Sequence, residues 1–306
     1  MSDLINLRKI SVWSIVLKVF LFMVLNFIVL LLVDFTLNID VVVIIDSFYS
    51  LITYIGIIYI LFQAFNSKGI ESKFIIGNTS LRNVKWGTYL SLQLFLTLFS
   101  ILAVLALLYT FTGVYENFIQ EVLDSTTETH LNSVWALFLS LIVAIVLAPI
   151  AEELFFRGFL LNRWGVTIGL GKAMIISSFI FSIVHFNKGF IGQFIFGMFA
   201  CLIYIKTKKL IIPIIMHGLN NLIATSPNIT DFIFQEEPSL GLTPGELEQF
   251  YHYVQVVLSI GTISFIISTP FIIYLFYRLY PKGPKITPSE SNKLSSCSGE
   301  GVRMSS

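Results

Sequence analysis

The chain is poor in charge. Only 12% of its 306 residues are Asp, Glu, Lys or Arg, whereas about a quarter is usual for a soluble globular protein. That deficit excludes an ordinary water-soluble domain. Cysteine is scarcer still: Cys201 in an apolar segment and Cys297 in a polar tail make a disulfide framework implausible. The net charge is +1, and no basic stretch is interleaved with aromatic residues. The chain therefore lacks the electrostatic footprint of a nucleic-acid-binding protein. No internal repeat is evident. No small-residue cleavage site follows the first apolar run, Val12 to Val33, which ends at Asp34 and so predicts a retained helix rather than a removed signal.

What the chain has instead is apolar mass. It is 56% hydrophobic, with 29 phenylalanines, and its mean hydropathy is +0.84. A membrane-crossing helix needs about 20 mostly apolar residues. By that measure the sequence predicts an all-α, polytopic bundle of about eight spans, near residues 12–33, 41–65, 86–112, 133–160, 170–187, 189–206, 209–225 and 252–278. Lys and Arg accumulate on the cytoplasmic side of membrane proteins. All but Lys18, Arg157 and Lys188 of the 19 Lys and Arg residues fall in one set of alternate loops and tails. Both termini are thereby predicted to be cytoplasmic, in a multi-pass protein whose short loops suit a bacterial plasma membrane. Residues 281–306, rich in Ser, Pro, Gly and Lys, are expected to form a disordered cytoplasmic tail.

Few ionisable side chains remain inside the predicted spans: Lys18, Glu152, Glu153, Arg157, His185 and His217. Lys18 lies close enough to a helix end to extend its ammonium to the headgroups. The others are costly at membrane depth, which makes them functional candidates. At about 1.5 Å of rise per residue, Glu152 lies roughly 16 Å from Arg163 and His185 roughly 20 Å from Lys172. His217 and Asn221 come out roughly 12 and 18 Å from Lys209. Three helices thus bring a carboxylate, two imidazoles and an amide to similar depth, reachable from the cytoplasmic half.

Spacing then divides the roles. Glu153 and Arg157 are i,i+4 neighbours and form an intrahelical pair. That leaves Glu152, about 100° away around the helix, as the carboxylate facing a cavity. A buried carboxylate suits a general base, with His185 orienting a water. His217 and Asn221 share one face and can donate to a developing oxyanion. One Glu and two His also match a catalytic zinc with an open fourth position, with Glu152, His185 and His217 as its ligands. A packing role for the same residues, in a non-catalytic scaffold, is the competing reading. His130, His252 and the acidic run at Glu236, Glu237, Glu246 and Glu248 read as solvated surface, and Lys206 to Lys209 as an orientation signal.

These residues resemble the CPBP intramembrane proteases, a family that includes type II CAAX prenyl endopeptidases and bacterial Abi proteins linked to bacteriocin immunity. Glu152, Glu153 and Arg157, after Ala148-Pro149 and before Gly158, match its Glu-Glu-x-x-x-Arg motif. Phe181 and His185 match Phe-x-x-x-His; His217 and Asn221 match His-x-x-x-Asn. The resemblance covers about residues 133–225, the core of an expected protease domain at 1–280. It implies peptide-bond hydrolysis at the membrane, on a peptide or membrane-protein substrate. Glu152 would activate water, His185 assist, and His217 with Asn221 stabilise the oxyanion, while Glu153 and Arg157 give structural support. Zinc and metal-independent glutamate catalysis are equally compatible with it. An immunity or regulatory factor is the alternative role.

Overall fold

A computed structural model describes residues 6–37, 42–110, 134–186, 189–226, 229, 244–280, 282 and 286–303. Among these residues the secondary structure is helical throughout, with no strand. The helices are α1 (Val12–Leu37), α2 (Val42–Ser67), the one-turn α3 (Ser72–Ile76), α4 (Trp86–Thr110) and the interrupted α5 (Val134–Ile168). They continue with α6 (Leu170–Val184), α7 (Phe190–Thr207), α8 (Ile211–Ala224), α9 (Pro244–Leu279) and α10 (Pro288–Arg303).

The eight apolar segments of the sequence correspond to α1, α2 and α4 to α9. Six are long and apolar enough to cross a membrane, whereas α6 and α8 are shorter. With 15 and 14 residues, those two reach only about 22 Å against a hydrocarbon core of about 30 Å. Both carry motif residues, and both are flanked by longer helices that supply their apolar surroundings. α1, α2 and α9 leave large apolar side chains such as Phe20, Tyr59 and Ile267 exposed, as lipid-facing helices do. α9 begins at Pro244, so Glu246 and Glu248 fall in a helix rather than the expected loop. His252 is exposed on α9. His130, Glu236 and Glu237 lie outside the described residues.

Two apolar clusters hold the bundle together. One centres on Leu61 and Phe65 of α2, Phe159 and Leu161 of α5, and Ala200 and Tyr204 of α7. The other joins Leu96 and Phe99 of α4, Phe199 of α7, Met216 of α8 and Ile272 of α9. α7 is therefore shared by both.

α5 owes its form to a proline. Its 35 residues contain two π-helical stretches, Val143–Leu147 and Leu154–Leu161, on either side of Ala148–Glu153. The Ala148 N–H bonds the Val143 carbonyl, five residues back. The next donor in that register would be the N–H of Pro149, which proline lacks. The Ala144 carbonyl is therefore left over, and the Asn221 amide on α8 donates to it at 2.8 Å. One turn earlier on α8, Gly218 packs so closely that an added Cβ would stand 2.6 Å from the Ile145 carbonyl oxygen. Proline and glycine together let α8 lie directly on the backbone of α5.

The expectation of a disordered tail fails for residues 288–303, which form α10. Thr287-Pro-Ser-Glu290 closes a reciprocal cap: the Thr287 N–H donates to Glu290 Oε2 at 2.6 Å and the Glu290 N–H to Thr287 Oγ1 at 3.3 Å. The Ser289 N–H donates to Asn162 Oδ1 of α5 at 3.1 Å, and Asn292 donates to the carbonyls of Phe74 and Lys208, each at 3.0 Å. Composition missed this helix because it is anchored by polar bonds to loop and helix-end backbone, not by an apolar stripe.

Candidate active site

The Glu153–Arg157 pair forms as its spacing predicts. Both side chains are wholly buried, and Arg157 Nη1 donates to Glu153 Oε1 at 2.7 Å. Arg157 Nη2 donates to the Gly197 carbonyl of α7 at 3.1 Å. The guanidinium also lies 4.7 Å from the centroid of Phe181 and 5.8 Å from that of Phe196, within reach of a cation–π attraction. Gly197 is required here, since a Cβ would come within 2.9 Å of Ser178 Cβ on α6. The pair is not closed on itself, however. His217 Nδ1 lies 2.9 Å from the same Glu153 oxygen. Sequence spacing gave Glu153 one partner; tertiary packing gives it two.

Glu152 lies on the other side of the His217 ring. Its Oε2 is 3.7 Å from His217 Nε2 and 3.3 Å from His185 Nε2. Glu152 and Glu153 thus meet opposite nitrogens of one imidazole, although they point apart around α5. The tautomers follow from the acceptors. His185 Nδ1 faces the Phe181 carbonyl at 2.9 Å, and a carbonyl can only accept, so that nitrogen carries the proton. His217 Nδ1 faces a carboxylate paired with Arg157, so it too carries the proton. In the neutral rings both Nε2 atoms are then lone-pair acceptors, aimed at a carboxylate oxygen that is buried without a hydrogen-bond partner. In that neutral form three acceptor atoms converge. The rings are held by aromatic contacts, Phe181 on His185 with centroids 4.4 Å apart and Phe196 on His217 at 4.9 Å. Phe181, the first residue of the second motif, therefore supports both an imidazole and the guanidinium.

The other carboxylate oxygen, Glu152 Oε1, accepts a hydrogen bond from Tyr54 of α2 at 3.1 Å. Sequence reading missed Tyr54, one of 12 tyrosines, because nothing local distinguishes it from other interfacial or core aromatics. Asn221 uses one amide hydrogen on Ala144, which leaves its second N–H for the cavity. That cavity, of about 640 Å³, is lined by Glu152, His185, His217, Asn221 and Tyr54 among others. A second, mainly apolar cavity of about 410 Å³ adjoins it between α4, α7 and α8, and the two share Gln193, Asn220 and Ala224. At the join, Gln93 donates to Asn220 Oδ1 at 3.1 Å. Gln93, Gln193 and Asn220 also went unnoticed in the sequence, since single amides in apolar helices carry no motif.

The donor set has the chemistry of a metal site. Two imidazole nitrogens and a carboxylate oxygen are the usual ligands of a catalytic zinc, whose tetrahedral ligands stand about 3.3 Å apart. Glu152 Oε2 meets that separation from His185 and exceeds it slightly from His217. Among the described residues no group of three His, Cys, Asp or Glu side chains forms a ready-made cage. What fits a metal is the chemistry of the donor set rather than a closed coordination shell.

At its centre the polytopic helical bundle buries paired carboxylates, two imidazoles and an arginine. Residues 134–223 match the family model described as Type II CAAX prenyl endopeptidase Rce1-like. The match supports the CPBP/CAAX protease family for this segment, and with the six long apolar helices it supports an integral membrane protein. Neither the curated proteins nor the solved structures offer a match.

Proposed function

We propose that the protein is an intramembrane endopeptidase in which Glu152 activates water against a peptide carbonyl. The observation that carries this reading is the convergence of Glu152 Oε2 with the Nε2 atoms of two imidazoles, each held through its Nδ1. A water entering this cluster finds acceptors for its hydrogens and turns its oxygen lone pair toward the cavity. Glu152 removes one proton as the C–O bond forms, and the same proton passes to the leaving amine when the C–N bond breaks. Tyr54 holds the carboxylate in position through its hydrogen bond to Oε1, and His185 Nε2 accepts a hydrogen of the water. The free N–H of Asn221 supplies a donor for the oxyanion, and His217 adds a second when the ring is an imidazolium that has taken its proton from solvent. Glu153 and Arg157 hold His217 from behind.

Should zinc bind, Glu152, His185 and His217 would be its ligands, and it would supply a more acidic water and a polarised carbonyl. Metal analysis of the purified protein, with activity measured before and after chelation, distinguishes the two uses of this donor set. The name of the family model points to prenylated peptides, and the apolar side cavity offers room for an apolar group beside the scissile bond. The setting we propose is a bacterial plasma membrane.

Glu152→Gln should abolish cleavage in comparative peptide profiling of cell membranes while the protein stays at its normal level in the bilayer. Wild-type processing by that variant would refute the mechanism. A protective or regulatory phenotype that survives the substitution would instead favour the non-catalytic immunity role.

A further inference from the structure

We infer that the catalytic cavity is reached from the face opposite the basic loops, so that its substrate is an extracytoplasmic peptide segment. The inference takes the peptidase reading as its basis for calling the ligand a peptide. It runs against the expectation that the site opens toward the cytoplasmic half.

The direction comes from the lining. On each helix the cavity wall continues from the reactive residue away from the end that meets a Lys- or Arg-bearing loop. On α2 it passes from Tyr54 to Ser50 and Ser47, and on α5 from Glu152 to Ala144 and Ser140. On α8 it passes from His217 to Asn221 and Thr225. At about 1.5 Å per residue, Ser47 lies about 10 Å beyond Tyr54, Ser140 about 18 Å beyond Glu152 and Thr225 about 12 Å beyond His217. The other ends meet Lys68 and the Lys73 of α3 after α2, the Lys172 in the first turn of α6 after α5, and Lys209 before α8. The side cavity has the same polarity, since its wall runs from Gln93 to Val104 along α4, away from Lys85.

In the opposite direction the bundle is sealed. Below Glu152 the space between α2, α5 and α7 is filled by Leu61, Phe65, Phe159, Leu161 and Tyr204, all fully buried. Arg157 and Glu153 occupy the layer above them with no exposure. The Tyr204 hydroxyl donates to the Ile75 carbonyl of α3 and accepts from Asn162, to which α10 is tied. A peptide arriving from the basic face would have to displace this packing, whereas on the other side the cavity continues along a wall of hydroxyl- and amide-bearing residues. Lys and Arg mark the cytoplasmic face, so the cavity end is the outer one.

The test is cysteine labelling in sealed bacterial spheroplasts with a sulfonated, membrane-impermeant maleimide. Ser50→Cys and Ser140→Cys, on separate helices, report on the cavity. Native Cys297, exposed on the tail helix, reports on the basic face, and buried Cys201 stays silent. Cavity cysteines should be labelled in sealed spheroplasts and Cys297 only after permeabilisation, with each site read by peptide mass spectrometry. Labelling of the cavity positions only after permeabilisation, no labelling in either state, or labelling of Cys297 together with them in sealed spheroplasts would each overturn the inference. Labelling needs no turnover, so the Glu152→Gln protein should give the same pattern, and loss of the peptidase reading would leave this result standing.

Discussion

At the residue scale the central object is His217, held between two carboxylates. Its Nδ1 is bound to Glu153, which is bound in turn to Arg157. Removing one member of such a buried set strands an uncompensated charge, at a cost of about 3–5 kcal/mol. Glu153→Ala and Arg157→Ala should therefore each lower the yield and the thermal midpoint of detergent-purified protein. The double substitution to Gln and Met should cost less than Arg157→Ala alone, because neither charge is then left unpaired. Normal stability of both single variants would show that the pair holds nothing together. The i,i+4 spacing made this pair legible in the sequence. The second partner of Glu153 was not, because the contact joins residues 64 positions apart on different helices. Tyr54, 98 positions from Glu152, was hidden for the same reason.

At the element scale the behaviour of α5 depends on Pro149 and on its contact with α8. Hydropathy places a helix over this stretch but says nothing about its register, and the first π-helical segment ends where the missing N–H of Pro149 and the packed neighbour α8 act together. Gly218→Ala should put a methyl group against the Ile145 carbonyl oxygen, a backbone atom that cannot swing aside. We expect a loss of about 1–3 kcal/mol in stability, read as a lower thermal midpoint, with activity reduced further because the adjacent His217 moves with the helix. An unchanged midpoint would mean that the helices separate freely here. The same contact explains Asn221. The sequence suggested an oxyanion donor, and the structure adds a prior commitment to the Ala144 carbonyl.

At the scale of the whole molecule, α10 ties the C-terminal segment to α3, to Asn162 of α5 and to the end of α7. Deleting residues 288–306 should lower the thermal midpoint, since Asn162 loses a buried partner, while cleavage per folded molecule stays unchanged. A midpoint equal to that of the full chain would show that the docked helix adds nothing. Its cap, Thr-Pro-Ser-Glu, was readable as a helix start, but overall polarity outweighed that local signal. The sequence by itself determined the helical membrane architecture, because apolar run length and loop charge are local quantities that a bilayer reads directly. It also determined which few polar groups had to be accounted for, since charge at membrane depth is costly wherever it falls. Only the tertiary structure decided how they are connected and which way their cavity faces. Those depend on the rotation and close approach of α2, α5, α7 and α8, fixed by one proline, two glycines and the side chains that fill the basic side of the bundle.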